Sequence, residues 1–261
     1  MDIIKRLLVA LFFMPAILII FYTGGIALIS FLALVVFIQT YELREIFLIK
    51  EIKIPLITIP LSVLVFAAVI FYSFPEILAA LLLIFILVMG KDLISGRSQG
   101  TLNRITATIF SIIYTSFFLA AVYKIRLLDS GAFLILSLIS LIWITDSAAF
   151  FVGRAFGKHR GIFKASPNKS LEGYFAGILA ALIGAFASSW VFDFTAIQAI
   201  LLAVSVGIFG QFGDLFESML KRDVGIKDSS SILPGHGGVL DRLDSLQIAA
   251  PVFYLLLFFF K

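Results

Sequence analysis

Four aspartates occupy places where a carboxylate is expensive. Asp146 lies within Trp143-Ile-Thr-Asp-Ser, and Asp214 within Gly210-Gln-Phe-Gly-Asp-Leu-Phe-Glu217-Ser, each near the end of a long apolar run. Asp241 and Asp244 open a third run, spaced one helical turn apart. Carboxylates inside apolar spans are rare and serve function or pairing. One or two of them read most simply as buried ion pairs with Lys or Arg. Four at one level exceed the cations nearby. Clustered hard oxygens are the ligands that Mg²⁺ takes, with water and phosphate oxygens completing its octahedron.

The segment 218–244 carries the complementary chemistry. Lys221, Arg222, Lys227 and Arg242 are phosphate-binding cations, the arginines suited to bidentate contact. Gly235, Gly237 and Gly238 permit close backbone approach, so successive N–H groups can form an anion nest. His236, among these glycines, is able to hydrogen-bond a phosphate or assist a proton transfer. A helix starting near 244 would also aim its positive N-terminus at a bound anion. Each feature has an ordinary explanation: a membrane-edge anchor, a turn, a surface histidine. Their joint spacing points away from those. A second basic segment, 153–171, adds Arg154, Lys158 and Lys169, which suit a triphosphate or an anionic lipid head, or merely a headgroup-contacting loop. Ser166-Pro167 and Ser170 supply helix-start chemistry before the next apolar run.

Lipid must be the solvent for the elements that carry these residues. The 261 residues are 61% hydrophobic with 29 Phe, far beyond the apolar share of soluble domains. The predicted fold is all-α and polytopic, with about nine spans of roughly 20 residues. They cover 3–22, 25–41, 56–73, 75–90, 105–123, 132–152, 172–192, 196–217 and 244–260. The runs 25–41 and 75–90 are the short ones, able to tilt or re-enter. We divide the chain into N-terminal helices, 1–128, and a half bearing the chemistry, 129–261, with loops 153–171 and 218–243. The first apolar run, from Leu7 to Tyr22, lacks a small-residue cleavage site and reads as a span. The absence of cysteine excludes disulfides, thiolate zinc sites and a cysteine nucleophile.

Charge orients the spans. All but three of the 20 Lys and Arg fall on one set of alternating loops; Lys124, Arg126 and Lys261 are the exceptions. The positive-inside bias then puts the N-terminus and both long loops in the cytoplasm. It also accounts for the net charge of +4 without any nucleic-acid partner. The aspartates of the sixth and eighth spans would lie roughly 5–10 Å below that face, at 1.5 Å per helical residue.

The stretch Ser218-x-x-Lys221-Arg222-x4-Lys227-Asp228-x-Ser230-x-x-Leu233-Pro234-x-His236-Gly237-Gly238-x-x-Asp241-Arg242-x-Asp244 resembles the signature of the CDP-diacylglycerol synthases, or phosphatidate cytidylyltransferases. Two upstream segments, from Asp146 to Lys158 and from Ser166 to Gly173, are similar to the family too; Asn168 and Ser170 stand where Lys and Thr are commoner. The resemblance implies Mg²⁺-dependent transfer of CMP from CTP to phosphatidic acid, with release of pyrophosphate. Asp214 and Asp241 would be the principal metal ligands, with Asp244 and Asp146 as further ligands and a second cation sharing the site. Lys221, Arg222, Lys227, Asp228, Arg242 and His236 with its glycines would handle the phosphates. The resemblance also implies a multi-pass inner-membrane homodimer whose cavity opens to cytosol and bilayer. A transporter remains an alternative, since intramembrane carboxylates also mark ion pathways. So does a CTP-dependent lipid kinase, which would release CDP where a synthase releases pyrophosphate.

Overall fold

A computed structural model describes residues 14–96, 98–233, 235 and 237–260. Within them the chain folds into helices, and strand pairing is confined to two isolated bridges, Arg160 with Ser170 and Leu233 with Gly237. In chain order the helices are α1 (Met14–Thr23), α2 (Gly25–Ile49), α3 (Thr58–Phe71), α4 (Phe74–Ile94) and α5 (Thr101–Arg126). They continue as α6 (Gly131–Phe156), α7 (Leu171–Phe192), α8 (Ala196–Asp223) and α9 (Leu240–Phe259). An apolar run in lipid has to close every backbone hydrogen bond on itself, which is why each of these segments is helical.

Local signals set the breaks. Pro75 occupies the first turn of α4. Ser170 caps α7 by accepting from the Gly173 amide at 3.1 Å. Asp193, with φ 57°, turns the chain out of α7, and a Thr195–Gln198 capping box starts α8.

Seven of the helices (α2 and α4 to α9) are long and apolar enough to cross a membrane. Among the helices whose two ends both lie within the described residues and that cover an expected span, the short one is α3, at 14 residues, rather than the runs at 25–41 and 75–90, whose helices reach 25 and 21 residues. Several helices also outrun the spans expected from hydropathy. α2 continues to Ile49, α6 to Phe156 and α8 to Asp223, and α9 begins at Leu240. Lys221, Arg222, Arg154 and Asp241 are therefore helical residues, and the two loops shrink to 157–170 and 224–239. Apolarity ends where the first charges appear, but the backbone stays helical past them, and Lys221, Arg222 and Asp241 each find partners there.

Ion pairs and side-chain caps hold the two ends of the bundle. At one end Lys50, following α2, pairs with Asp223 of α8 at 2.5 Å, and Arg222 donates to the Ala165 carbonyl at 3.3 Å. This gathers the 50–57, 157–170 and 224–239 loops at one face. At the opposite end Arg126 donates to the carbonyls of Phe21 and Tyr22 at 3.2 and 2.8 Å, and Lys124 to Ile70 at 3.2 Å. Two of the three cations on the charge-poor side are thus helix C-caps for α1 and α3.

One core cluster takes residues from both sides of position 128: Leu28 and Leu32 of α2, Leu119 of α5, Leu138 of α6, Ala185 of α7 and Phe253 of α9. α8 and α9 approach closely at Gly213. A Cβ there would stand 2.5 Å from the Asp244 carbonyl and 3.1 Å from Ile248. Small residues at such crossings let lipid-embedded helices touch along their backbones. Gly213→Val should force α8 from α9 and cost about 1–3 kcal/mol, the usual penalty for overpacking. The readout is the thermal midpoint of the detergent-purified protein, and an unchanged midpoint would refute the close approach.

Candidate active site

A cavity of about 1350 Å³ opens where α6, α8, α9 and the 157–170 loop meet. One end is apolar, walled by Ile17 and Phe21 of α1, Phe31 and Val35 of α2, and Ile142 and Trp143 of α6. The other end is charged. Asp146, Arg154, Arg160, Lys169, Asp214, Asp241, Arg242 and Asp244 line it. Residues scattered over a hundred positions of sequence share this space because α6 and α8 reach it from their later halves and α9 from its first turn.

The aspartates are not equivalent. Asp214 is ion-paired with Lys169 of the 157–170 loop, with Ser218 Oγ at 3.5 Å from its other oxygen. Asp146 and Asp244 both lie close enough to Asp214 for the charges to act on one another. Asp241 is engaged on both oxygens. Oδ1 accepts from Lys221 Nζ at 2.5 Å, while Oδ2 accepts from the Ser229 amide and hydroxyl, each at 2.9 Å, and from the Gly238 amide at 2.7 Å. Lys221 is itself buried and also pairs with Glu217, one turn back on α8, at 3.0 Å. In this arrangement Lys221 neutralises protein carboxylates and Asp241 is a clasp on the loop.

The glycines wrap around carboxylates of the protein itself. Gly237 has φ 79°, and a Cβ there would stand 2.8 Å from Asp241 Oδ2. A Cβ on Gly238 would collide with Ser229 Oγ and Glu42 Oε1. The Val239 and Leu240 amides donate to Glu42, on α2, at 2.9 and 2.7 Å. Of the glycine amides expected to form a phosphate nest, that of Gly238 serves Asp241, and the next two amides along the chain serve Glu42.

The remaining predicted residues divide. Arg154 and Arg242 line the charged end with Lys169. Arg222 holds the two loops together through the Ala165 and Ile226 carbonyls. Lys158, Lys227 and Asp228 are exposed and do not line the cavity, and Ser166 shapes the turn that presents Lys169. His236 lies outside the described residues.

Sequence reasoning missed Glu42 and Arg160. Arg160 donates to the carbonyls of Gly153, Gly157 and Asn168, clamping the loop onto the end of α6. Neither left a readable signal. Glu42 fell one residue beyond the expected end of its span, and Arg160 was one cation among several in a basic loop.

Hard carboxylate oxygens at one end of a cavity suit a divalent cation in kind. Among the described residues, however, no three acidic or histidine side chains stand together as a ready-made cage. Mg²⁺ does not require one, since it binds through one or two carboxylates with water and substrate phosphate. The residues fit such a site at Asp214 with Asp146 or Asp244, and less well at Asp241, whose oxygens are occupied.

Fold and site together define a polytopic helical membrane protein in which one cavity is both apolar and charged. The chain belongs to the cytidylyltransferase family, whose pattern matches residues 4–260. It is similar to the phosphatidate cytidylyltransferase of Haemophilus influenzae, 44% identical over 154 residues that span 54% of each chain. It also resembles the phosphatidate cytidylyltransferases of Staphylococcus saprophyticus, 33% identical over 94% of each chain, and Staphylococcus haemolyticus, 32% over 97%.

The Glu217–Lys221–Asp241 group generates a stability prediction. Lys221→Met leaves two buried carboxylates without their shared cation and should cost about 3–5 kcal/mol. Adding Glu217→Gln should recover part of the loss in thermal unfolding. Equal stability of the single variant and the parent would overturn the shared-cation role.

Proposed function

We propose that this chain transfers CMP from CTP to phosphatidic acid, forming CDP-diacylglycerol and pyrophosphate for phospholipid synthesis. The observation that carries the reading is the two-natured cavity. An apolar wall suited to acyl chains runs directly into a pocket of carboxylates and cations suited to phosphates. The names of the relatives support the same chemistry.

An oxygen of the phosphatidate phosphate attacks the α-phosphorus of CTP, the α–β bridging P–O bond breaks, and pyrophosphate leaves with the electron pair. A phosphomonoester has its second pKa near about 6, so the nucleophile is already anionic and needs no strong base. The protein's work is positioning and charge neutralisation. Arg154, Arg242 and Lys169 hold phosphate oxygens at the charged end. Lys169 is paired with Asp214 in this structure and lines the same end of the cavity as both arginines. Asp214, with Asp146 or Asp244, would hold Mg²⁺, which when bound neutralises charge on the transferring phosphate. A second cation belongs to the same reading, because two anionic substrates and a leaving pyrophosphate share one pocket.

The reading has the protein in the inner membrane with its N-terminus and charged pocket on the cytoplasmic side, which the Lys and Arg bias supports. It also has the protein act as a homodimer; α4 and α7 each bury only 17% of their apolar window within the protomer, leaving faces for lipid or a second copy.

In purified enzyme, α-labelled CTP should deliver its label to lipid with release of pyrophosphate. Release of CDP in its place would establish the kinase reading instead. Asp214→Asn should abolish product at saturating Mg²⁺, and turnover near that of the parent would remove Asp214 from the metal site.

A further inference from the structure

Glu42 lies on α2, in the half of the chain that supplies no charged group to the proposed reaction, and its exposure is 0%. Its Oε1 accepts from Ser230 Oγ at 2.6 Å and from the Val239 amide at 2.9 Å, and its Oε2 accepts from the Leu240 amide at 2.7 Å. Leu240 is the first residue of α9. A helix start leaves amides without intrahelical partners, and its dipole favours a negative charge there. Usually the N-cap residue's own side chain accepts from them. Here the N-cap is Val239, which has no such side chain, and the acceptor comes from 198 residues away.

Three consequences converge on the site. Asp241 and Asp244 sit in the first two turns of α9, so whatever fixes the depth and rotation of its start fixes both aspartates. Ser230, which donates to Glu42, adjoins Ser229, which donates to Asp241. The loop and the helix start are therefore tied by two carboxylates side by side. Gly238 passes between Glu42 and Ser229 with no room for a Cβ.

We infer that Glu42 is a positioning residue for the aspartates of α9: a cap supplied by the N-terminal helices that sets the geometry of the charged pocket. This rests on the cytidylyl-transfer reading. A carboxylate is required because both oxygens must accept. A glutamine would turn an NH₂ group toward at least one of three donors.

The chain has no cysteine, so Ser231→Cys, at an exposed loop position, creates a unique site for a nitroxide spin label. In that background Glu42→Gln should loosen the loop, seen as a narrower, more mobile spectrum. CMP transfer should fall about tenfold or more in kcat, with KM for CTP changed less than about threefold. Ser230→Ala removes one donor without adding another, and should shift both readouts in the same direction by less. It carries the test if Glu42→Gln does not give a monodisperse protein.

A label as immobile as in the parent, or an unchanged kcat beside a loosened loop, overturns the proposal. So does an activity loss that only tracks the folded fraction. If the parent transfers no CMP, the functional reading fails, while the spectra still decide whether Glu42 caps the loop and α9.

Discussion

A carboxylate inside a lipid-embedded bundle has to be met by donors, and in this protein three such contacts cross from one element to another. Lys221 of α8 reaches Asp241 of α9, Lys169 of the 157–170 loop reaches Asp214 of α8, and Glu42 of α2 takes the start of α9. Breaking a buried pair by removing one partner costs about 3–5 kcal/mol, whereas apolar contact between helices in lipid gains little over contact with acyl chains. The charged groups are therefore the specific fasteners among the helices. Apolar packing fills the space between them.

This gives the N-terminal helices a defined relation to the charged pocket. α1 and α2 wall the apolar end of the cavity, and α2 also sends Glu42 to the first turn of α9. One helix thus borders both the place suited to hydrocarbon and the loop that shapes the place suited to phosphate. The glycines in that loop follow from the same demand. At 237 and 238 the backbone runs so close to carboxylates that a side chain would have to displace them.

Helices were the legible part of the fold because bilayer thickness demands apolar runs long enough to see. Their ends were not. Hydropathy falls at Glu42, Arg154 and Lys221, yet each of these residues continues a helix. Glu42 and Lys221 each meet a partner on another element, and no periodicity encodes that. The candidate site divides in the same way. Asp146, Asp214, Asp241 and Asp244 announced themselves as carboxylates out of place, and all four line one cavity. Which of them is clasped and which faces the space depended on Lys221, 20 residues before Asp241, and Lys169, 45 before Asp214. Glu42 looked like the first charge of a loop, and only packing shows what it accepts.

The partners also sort the aspartates by what they lack. Asp241 has four donors and is electrostatically complete. Asp146, Asp214 and Asp244 line the same charged end as like charges, and Lys169 is ion-paired with Asp214. On the proposed reading, the charges sort the order of events. Three carboxylates and Lys169 leave an excess of two negative charges, which one divalent cation balances; an uncompensated charge in a pocket bordered by hydrocarbon is costly. A phosphate arriving beside that cation brings negative charge back, and Arg154 and Arg242, which line the same end, are placed to meet it. The cation then prepares the pocket for the phosphate, and the clasp at Asp241 keeps the loop in place while the other three carboxylates exchange partners.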